Sequence, residues 1–177
     1  MMCIAYFGLE NIPIIDGSSD ISKIIKEAIE KQGCGLCHGD IILIAETLIS
    51  KAEENFIKLY DLTPSPQAIE LAQKAKKDPQ LVESIIQQSN EIVAVGPKFI
   101  ITETKQGFVC ANAGIDESNV GEGLVTPMPV DADKSAFEIR ESLEKEFGEE
   151  IAVIITDTQG RAFRFGAIGT AIGCSGI

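Results

Sequence analysis

Apolar residues recur at helical spacing in the first clear element of the chain. Ile21, Ile24, Ile25, Ala28 and Ile29 follow the i, i+3, i+4, i+7 rule, while Lys23, Lys26, Glu27 and Glu30 take the opposite face. Ser19 or Asp20 is placed to cap this helix and Gly33 to end it. IILIAETLIS, residues 41–50, is β-branched and apolar enough to predict a strand buried on both faces, with Glu46, Thr47, Ser50 and Lys51 at its far end. Pro66 and Pro79, each behind a capping residue, open two further helices, PQAIELAQKAKK and PQLVESIIQQS. EIVAVGPKFIITETKQGFVCANAG reads as β-rich, with turns at Gly96-Pro97 and Gln106-Gly107. Helical period returns over residues 135–147 through Ala136, Ile139, Leu143 and Phe147, and Gly148 stops it; IAVIIT is then a last buried strand. Helices and strands mix without strict alternation, which predicts an α+β fold with mixed sheets and flanking helices.

At 177 residues one domain, or two small lobes, is expected, with enough chain to bury about two thirds of its unfolded surface. The stretch CGLCHGD offers a more specific reading, because Cys34, Cys37 and His38 have the spacing of a c-type haem attachment site. Haem attachment follows export, yet the start MMCIAYFGLENIP has no basic region and no apolar run ending in small residues. The longest apolar run, residues 41–45, is far short of the ~18 residues of a membrane span. Five cysteines without framework spacing then fit reduced thiols, and a cytoplasmic protein is expected. Zinc fails too, since Cys3, Cys110 and Cys174 are scattered and His38 is the one histidine. CGLCHGD is read as the connection between the first helix and the following strand.

A net charge of −12 without a basic stripe argues against nucleic acid as partner. An acidic chain still binds phosphates where Mg or Mn supplies positive charge through one or two carboxylates. Two stretches suit that chemistry. In CANAGIDESNV the small residues 111–114 let backbone approach a ligand, and Asp116 and Asn119 follow. In IAVIITDTQGRAFRFG a hydrophobic strand runs into Asp157 and Thr158, with the anion-binding candidates Arg161 and Arg164 beyond. Lys51 adds a further cation, against the plain alternative of a strand-end lysine reaching water. No phosphate-loop motif, dinucleotide fingerprint or Ser–His pair is present, so a nucleotide would be bound in some other way.

The blocks ENIPIIDGSSDISKIIKEAI, GDIILIAETLISKAE, GFVCANAGIDESNV and IAVIITDTQGR, followed by RFG and AIG, resemble the coenzyme F-420-0 gamma-glutamyl ligase family in order and spacing. The resemblance implies GTP-dependent addition of L-glutamate to the deazaflavin F-420-0, a two-lobed α+β fold, a homodimer, two divalent ions (Mg or Mn) and potassium. It also implies that Asp116 and Asp157 ligate one divalent ion and that Thr158 contacts the second. Asn119, Lys51, Glu46, Thr47 and the segment Ile12, Pro13, Ile14, Ile15 would line the GTP site. Against the family's pattern, Glu54 stands for a Gly, Gln159 for a Phe, Ala162-Phe163 for Pro-Trp and Ala167-Ile168-Gly169 for Gln-Thr-Asp. The resemblance further implies that residues 1–177 form a single domain, incomplete at its C-terminus as a fragment or short paralogue, without a Glu-Gly segment that ligates the second metal. Two alternatives stand beside the ligase: a paralogue that binds nucleotide or deazaflavin without chemistry, and an interaction subunit completed by another chain.

Overall fold

The computed structural model describes residues 4–118, 120–160, 163 and 165–177. Helix α1 (Ile21–Gln32) has the expected limits: the Asp20 carboxylate accepts from the Lys23 amide at 3.0 Å, and Gly33 closes the helix at φ 68°. Asp20 rather than Ser19 is the cap because the Ser19 hydroxyl donates back to Asp16 at 3.0 Å.

The apolar run after CGLCHGD departs from expectation. Strand β1 (Ile41–Ala45) stops after five residues, and helix α2 (Glu46–Ala52) begins at once. Nor is β1 buried on both faces, since Ile41 and Leu43 are more than half exposed. The reason is positional. Among the described residues strand β1 has a neighbour on one side alone, and Glu46, Ile49 and Ser50 turn inward at helical spacing once the strand ends. Short apolar runs do not separate strand from helix by periodicity.

A two-residue strand β2 (Ile57–Lys58) leads to helices α3 (Pro66–Ala75) and α4 (Pro79–Gln87), each with proline in its first turn and a side-chain cap from Ser65 or Asp78. Strands β3 (Ser89–Gly96), β4 (Phe99–Thr104) and β5 (Val109–Ala111) form an antiparallel meander. Strand β6 (Leu124–Val125) returns to pair with β2. Helix α5 (Ala132–Phe147) starts three residues before the predicted segment, because the Asp131 side chain accepts from Lys134 N at 2.9 Å and sets the first turn there.

Strand β7 (Ala152–Gly160) is the centre of the third sheet, parallel to β1 and antiparallel to β8 (Ala167–Ser175). It runs four residues past the predicted IAVIIT. The last β1–β7 pair is Ala45 with Thr156, so Asp157 and Thr158 lie just beyond the parallel ladder, held only by β8. Strand β8 is rich in Gly and Ala and carries little hydrophobic signal of its own.

Two clusters of buried apolar side chains hold these layers. One joins α1, α2 and α5 to the β1–β7–β8 sheet through Ile25, Ile44, Ile49, Leu143, Val153 and Ile155. The other joins α3 and α4 to the meander through Ala72, Val82, Ile85 and Ile100. Each fully buried aliphatic side chain contributes about 1.5–3 kcal/mol. The mixed helices and sheets are the expected α+β class.

Gly173 marks the closest approach of α5 to its sheet. A Cβ there would stand 2.4 Å from the Ala132 carbonyl carbon, and backbone cannot swing aside as a side chain would. Gly173→Ala is therefore expected to cost about 1–3 kcal/mol. That is a fall in Tm of several degrees, whereas Gly35→Ala, with open space around its site, should melt with the parent chain.

Candidate functional site

The cleft at the end of β1 encloses about 380 Å³ and draws its walls from three places. Ala45, Glu46 and Thr47 come from the β1–α2 junction, Thr156 to Gly160 from the overhanging part of β7, and Cys110 to Ser118 from β5 and the turn after it. The geometry of the first two follows from the ladder: Ala45 faces Thr156, so Glu46 and Asp157 are the next residues on neighbouring parallel chains.

The third wall is bent sharply. Asn112, Ala113 and Gly114 are consecutive residues at positive φ (54°, 56° and 67°), the left-handed region that costs a residue with a Cβ roughly 1–2 kcal/mol. Asn112 offsets part of this by accepting the Ile100 amide on its side-chain oxygen at 3.3 Å. The turn delivers Asp116, whose backbone exchanges two 2.9 Å hydrogen bonds with Thr126. Ser118 fixes the carboxylate, its amide donating to Oδ1 at 2.8 Å and its hydroxyl to Oδ2 at 2.7 Å. Across the cleft, Gln159 Nε2 donates to Asp157 Oδ2 at 2.9 Å, and Thr170 donates to Gln159 Oε1 at 3.3 Å. Both carboxylates are thus oriented by neighbours two residues along.

Glu46 is different. It is only 5% exposed, and its Oε2 has no hydrogen-bond partner; among the described residues the only other such buried side-chain atom is Thr102 Oγ1. Burial, then the charges of Asp157 and Asp116, push its pKa up to about 8, while Ser50 and Lys51 pull the other way. Ser50, one helical turn on, donates its hydroxyl to Pro127 O at 2.8 Å. Pro127 follows Thr126, so α2 is tied to the segment that pairs with Asp116.

Of the residues expected from sequence, the cleft brings together Asp116, Asp157, Thr158, Glu46 and Thr47. Lys51 sits on α2 rather than at a strand end and does not line the cleft, although its charge reaches Glu46. Ile12, Pro13, Ile14 and Ile15 form an irregular segment away from it: Ile15 is buried and Ile12 half-buried against the α1–α5 core, while Ile14 points to solvent. Asn119, Arg161 and Arg164 lie outside the described residues. Sequence reasoning passed over Ser118 and Thr170 and gave Gln159 no role; the Asp-x-Ser and Asp-x-Gln spacings were the available signals. Cys34 and Cys37 lie on the α1–β1 connection as expected, with Cys37 exposed. A second cleft, about 270 Å³, lies at the far end of β1, where His38 faces Glu150 at 3.4 Å. Among the described residues, no helix is long and apolar enough to cross a membrane.

The profile of the family F420-0:Gamma-glutamyl ligase matches residues 10–177. The chain belongs to this family. Relatives named coenzyme F420:L-glutamate ligase include one from Methanothermobacter thermautotrophicus, 52% identical over 176 residues, covering 99% of this chain and 70% of that protein. One from Methanococcus maripaludis is 51% identical over 170 residues, covering 96% of this chain and 66% of its own length. One from Methanosarcina mazei is 40% identical over 169 residues, covering 96% and 64%. The chain therefore spans about two thirds of the length of its curated relatives. The relatives are named as L-glutamate ligases, which places this chain in a family of enzymes.

Proposed function

We propose that the chain carries the nucleotide and metal site of a ligase that adds L-glutamate through amide bonds to the deazaflavin precursor F420-0, with GTP as co-substrate. The observation that carries this reading is the meeting of Asp116, Asp157 and Thr158 in one cleft of a chain about half identical, over nearly all its length, to proteins named for that reaction. On this reading the two apolar cores would be the two lobes of the family, and the protein would work as a cytoplasmic homodimer.

The donor set suits a hard divalent cation, Mg or Mn, and potassium in addition: carboxylate and hydroxyl oxygens, with one buried carboxylate oxygen left unsatisfied. Such a cation, held by Asp116 and Asp157 with Thr158 toward a second, would neutralise phosphate charge during transfer. The chain's own part is positional. Ser118 and Gln159 hold the two carboxylates in place, the left-handed turn at residues 112–114 brings backbone up to the ligand, and Lys51 contributes positive charge from α2. In the reaction the terminal carboxylate of the acceptor takes the γ-phosphoryl group from GTP, releasing GDP. The glutamate amine then forms the C–N bond as the C–O bond to phosphate breaks, and its proton leaves to solvent.

Calorimetric titration of GTP with Mn present tests this directly. Saturable binding that disappears with a chelator, together with incorporation of labelled glutamate into F420-0, is the expected result. A folded chain that binds no GTP under these conditions would overturn it.

A further inference from the structure

We propose that Glu46 is a direct oxygen ligand of the divalent cation held between Asp116 and Asp157, a role that rests on the metal-site reading above. The resemblance put Glu46 among the residues that line the GTP site. A buried carboxylate cannot sit against phosphates without something positive between them, because two anions in a low-dielectric cleft repel strongly. A cation answers both that repulsion and the unsatisfied Oε2, which is otherwise a buried polar atom without a partner.

The backbone supports the placement. Glu46 and Asp157 each follow a member of the last pair in the β1–β7 ladder, Ala45 and Thr156, and neighbouring strands run about 4.8 Å apart. Asp116 is locked to the same frame through Thr126 and the Ser50–Pro127 hydrogen bond one turn along α2 from Glu46. All three side chains line one cleft. Among the described residues no three acid, His or Cys side chains already converge at ligating distance. Asp116 is turned onto Ser118 and Asp157 onto Gln159, and both carboxylates are half-buried. Cation entry would draw those two carboxylates across, while Glu46, fixed by burial, supplies the stationary donor.

Mn binding in the absence of nucleotide, followed by electron paramagnetic resonance of free Mn and by calorimetry, tests the role on the full chain. Glu46→Gln keeps the shape and removes the charge; it is expected to weaken Mn binding about 10-fold or more. It should also melt no lower than the parent in metal-free buffer, so that weaker binding is not a folding defect. Asp157→Asn is expected to abolish Mn binding. If Glu46→Gln binds Mn within about two-fold of the parent while Asp157→Asn does not, Glu46 is no ligand and the metal site itself stands. If the parent chain binds no Mn, the metal-site reading and the role of Glu46 fall together.

Discussion

Asp157→Asn is expected to remove metal-dependent GTP binding and with it glutamate incorporation, by about 100-fold or more in turnover, while leaving the melting temperature within a few degrees of the parent. The separation follows from where Asp157 lies. Its strand is already past the last pair with β1, its side chain is half-buried, and Gln159, its side-chain partner among the described residues, is held independently by Thr170. Asparagine keeps the size and still accepts from Gln159 Nε2 through its amide oxygen, so the hairpin of β7 and β8 should survive. What it loses is the negative charge toward a cation. Alanine would confuse the result by stranding the buried Gln159 amide. Titrating GTP with and without Mn into both proteins separates the outcomes: unchanged Mn-dependent affinity in Asp157→Asn would move the cation away from β7.

Much of this arrangement is legible in the sequence. Helices α1, α3 and α4 announce themselves through their caps, Asp20, Ser65 and Asp78, and α5 through its apolar period and its stop at Gly148, local signals that tertiary packing did not override; the Asp131 cap that starts α5 earlier was missed. Asp116 and Asp157 stood out as carboxylates beside small residues or behind a hydrophobic strand, and they do share a cleft. Two features were hidden for physical reasons. The switch from β1 to α2 at Glu46 falls inside a continuous apolar run, where a strand and a buried helix look alike. Its consequence is large, since it moves Glu46 from a strand end into a buried helix start and carries Lys51 a turn and more away from the cleft. The Gly- and Ala-rich β8 was invisible because small residues carry little hydrophobic period, while Gly173 is needed to clear the backbone of Ala132. Membership of the family could be read from the sequence blocks. The orphaned oxygen of Glu46 could not, because it depends on burial of the β1–α2 junction among residues brought together only by the sheet and the helix that follows it.

In metal-free buffer the chain should lose stability steadily as pH rises from about 5 to 8, and Glu46→Gln should flatten that decline. Glu46 holds its proton up to about 8 in the fold, against 4.5 for an unburied glutamate, chiefly because burial disfavours its charge and then because Asp157 and Asp116 stand near it. Below about 4.5 the carboxyl is neutral in both states and favours neither. Between the two values the unfolded chain gives up the proton and the folded chain keeps it. The folded state then binds more protons than the unfolded, and the linkage relation makes stability fall with pH. Across the whole window the loss is on the order of 5 kcal/mol at most, at ~1.4 kcal/mol for each unit between the two values. Other shifted groups act elsewhere. Asp16, Glu70, Glu83 and Glu146 are held below the usual carboxylate range by hydrogen bonds to Ser18, Lys74, Ser65 and Lys26, so their contributions are present above that range and lost in acid. Lys26 is raised by Glu146, and its contribution is lost only in strong alkali. Urea melts at pH 5, 6.5 and 8 with a chelator present should therefore show a falling midpoint in the parent and a nearly level one in Glu46→Gln, which becomes the more stable protein at pH 8. A parent midpoint that does not move across this range would mean that Glu46 meets water or a partner group in solution, and that its oxygen is not the unsatisfied donor on which the cation-ligand role depends.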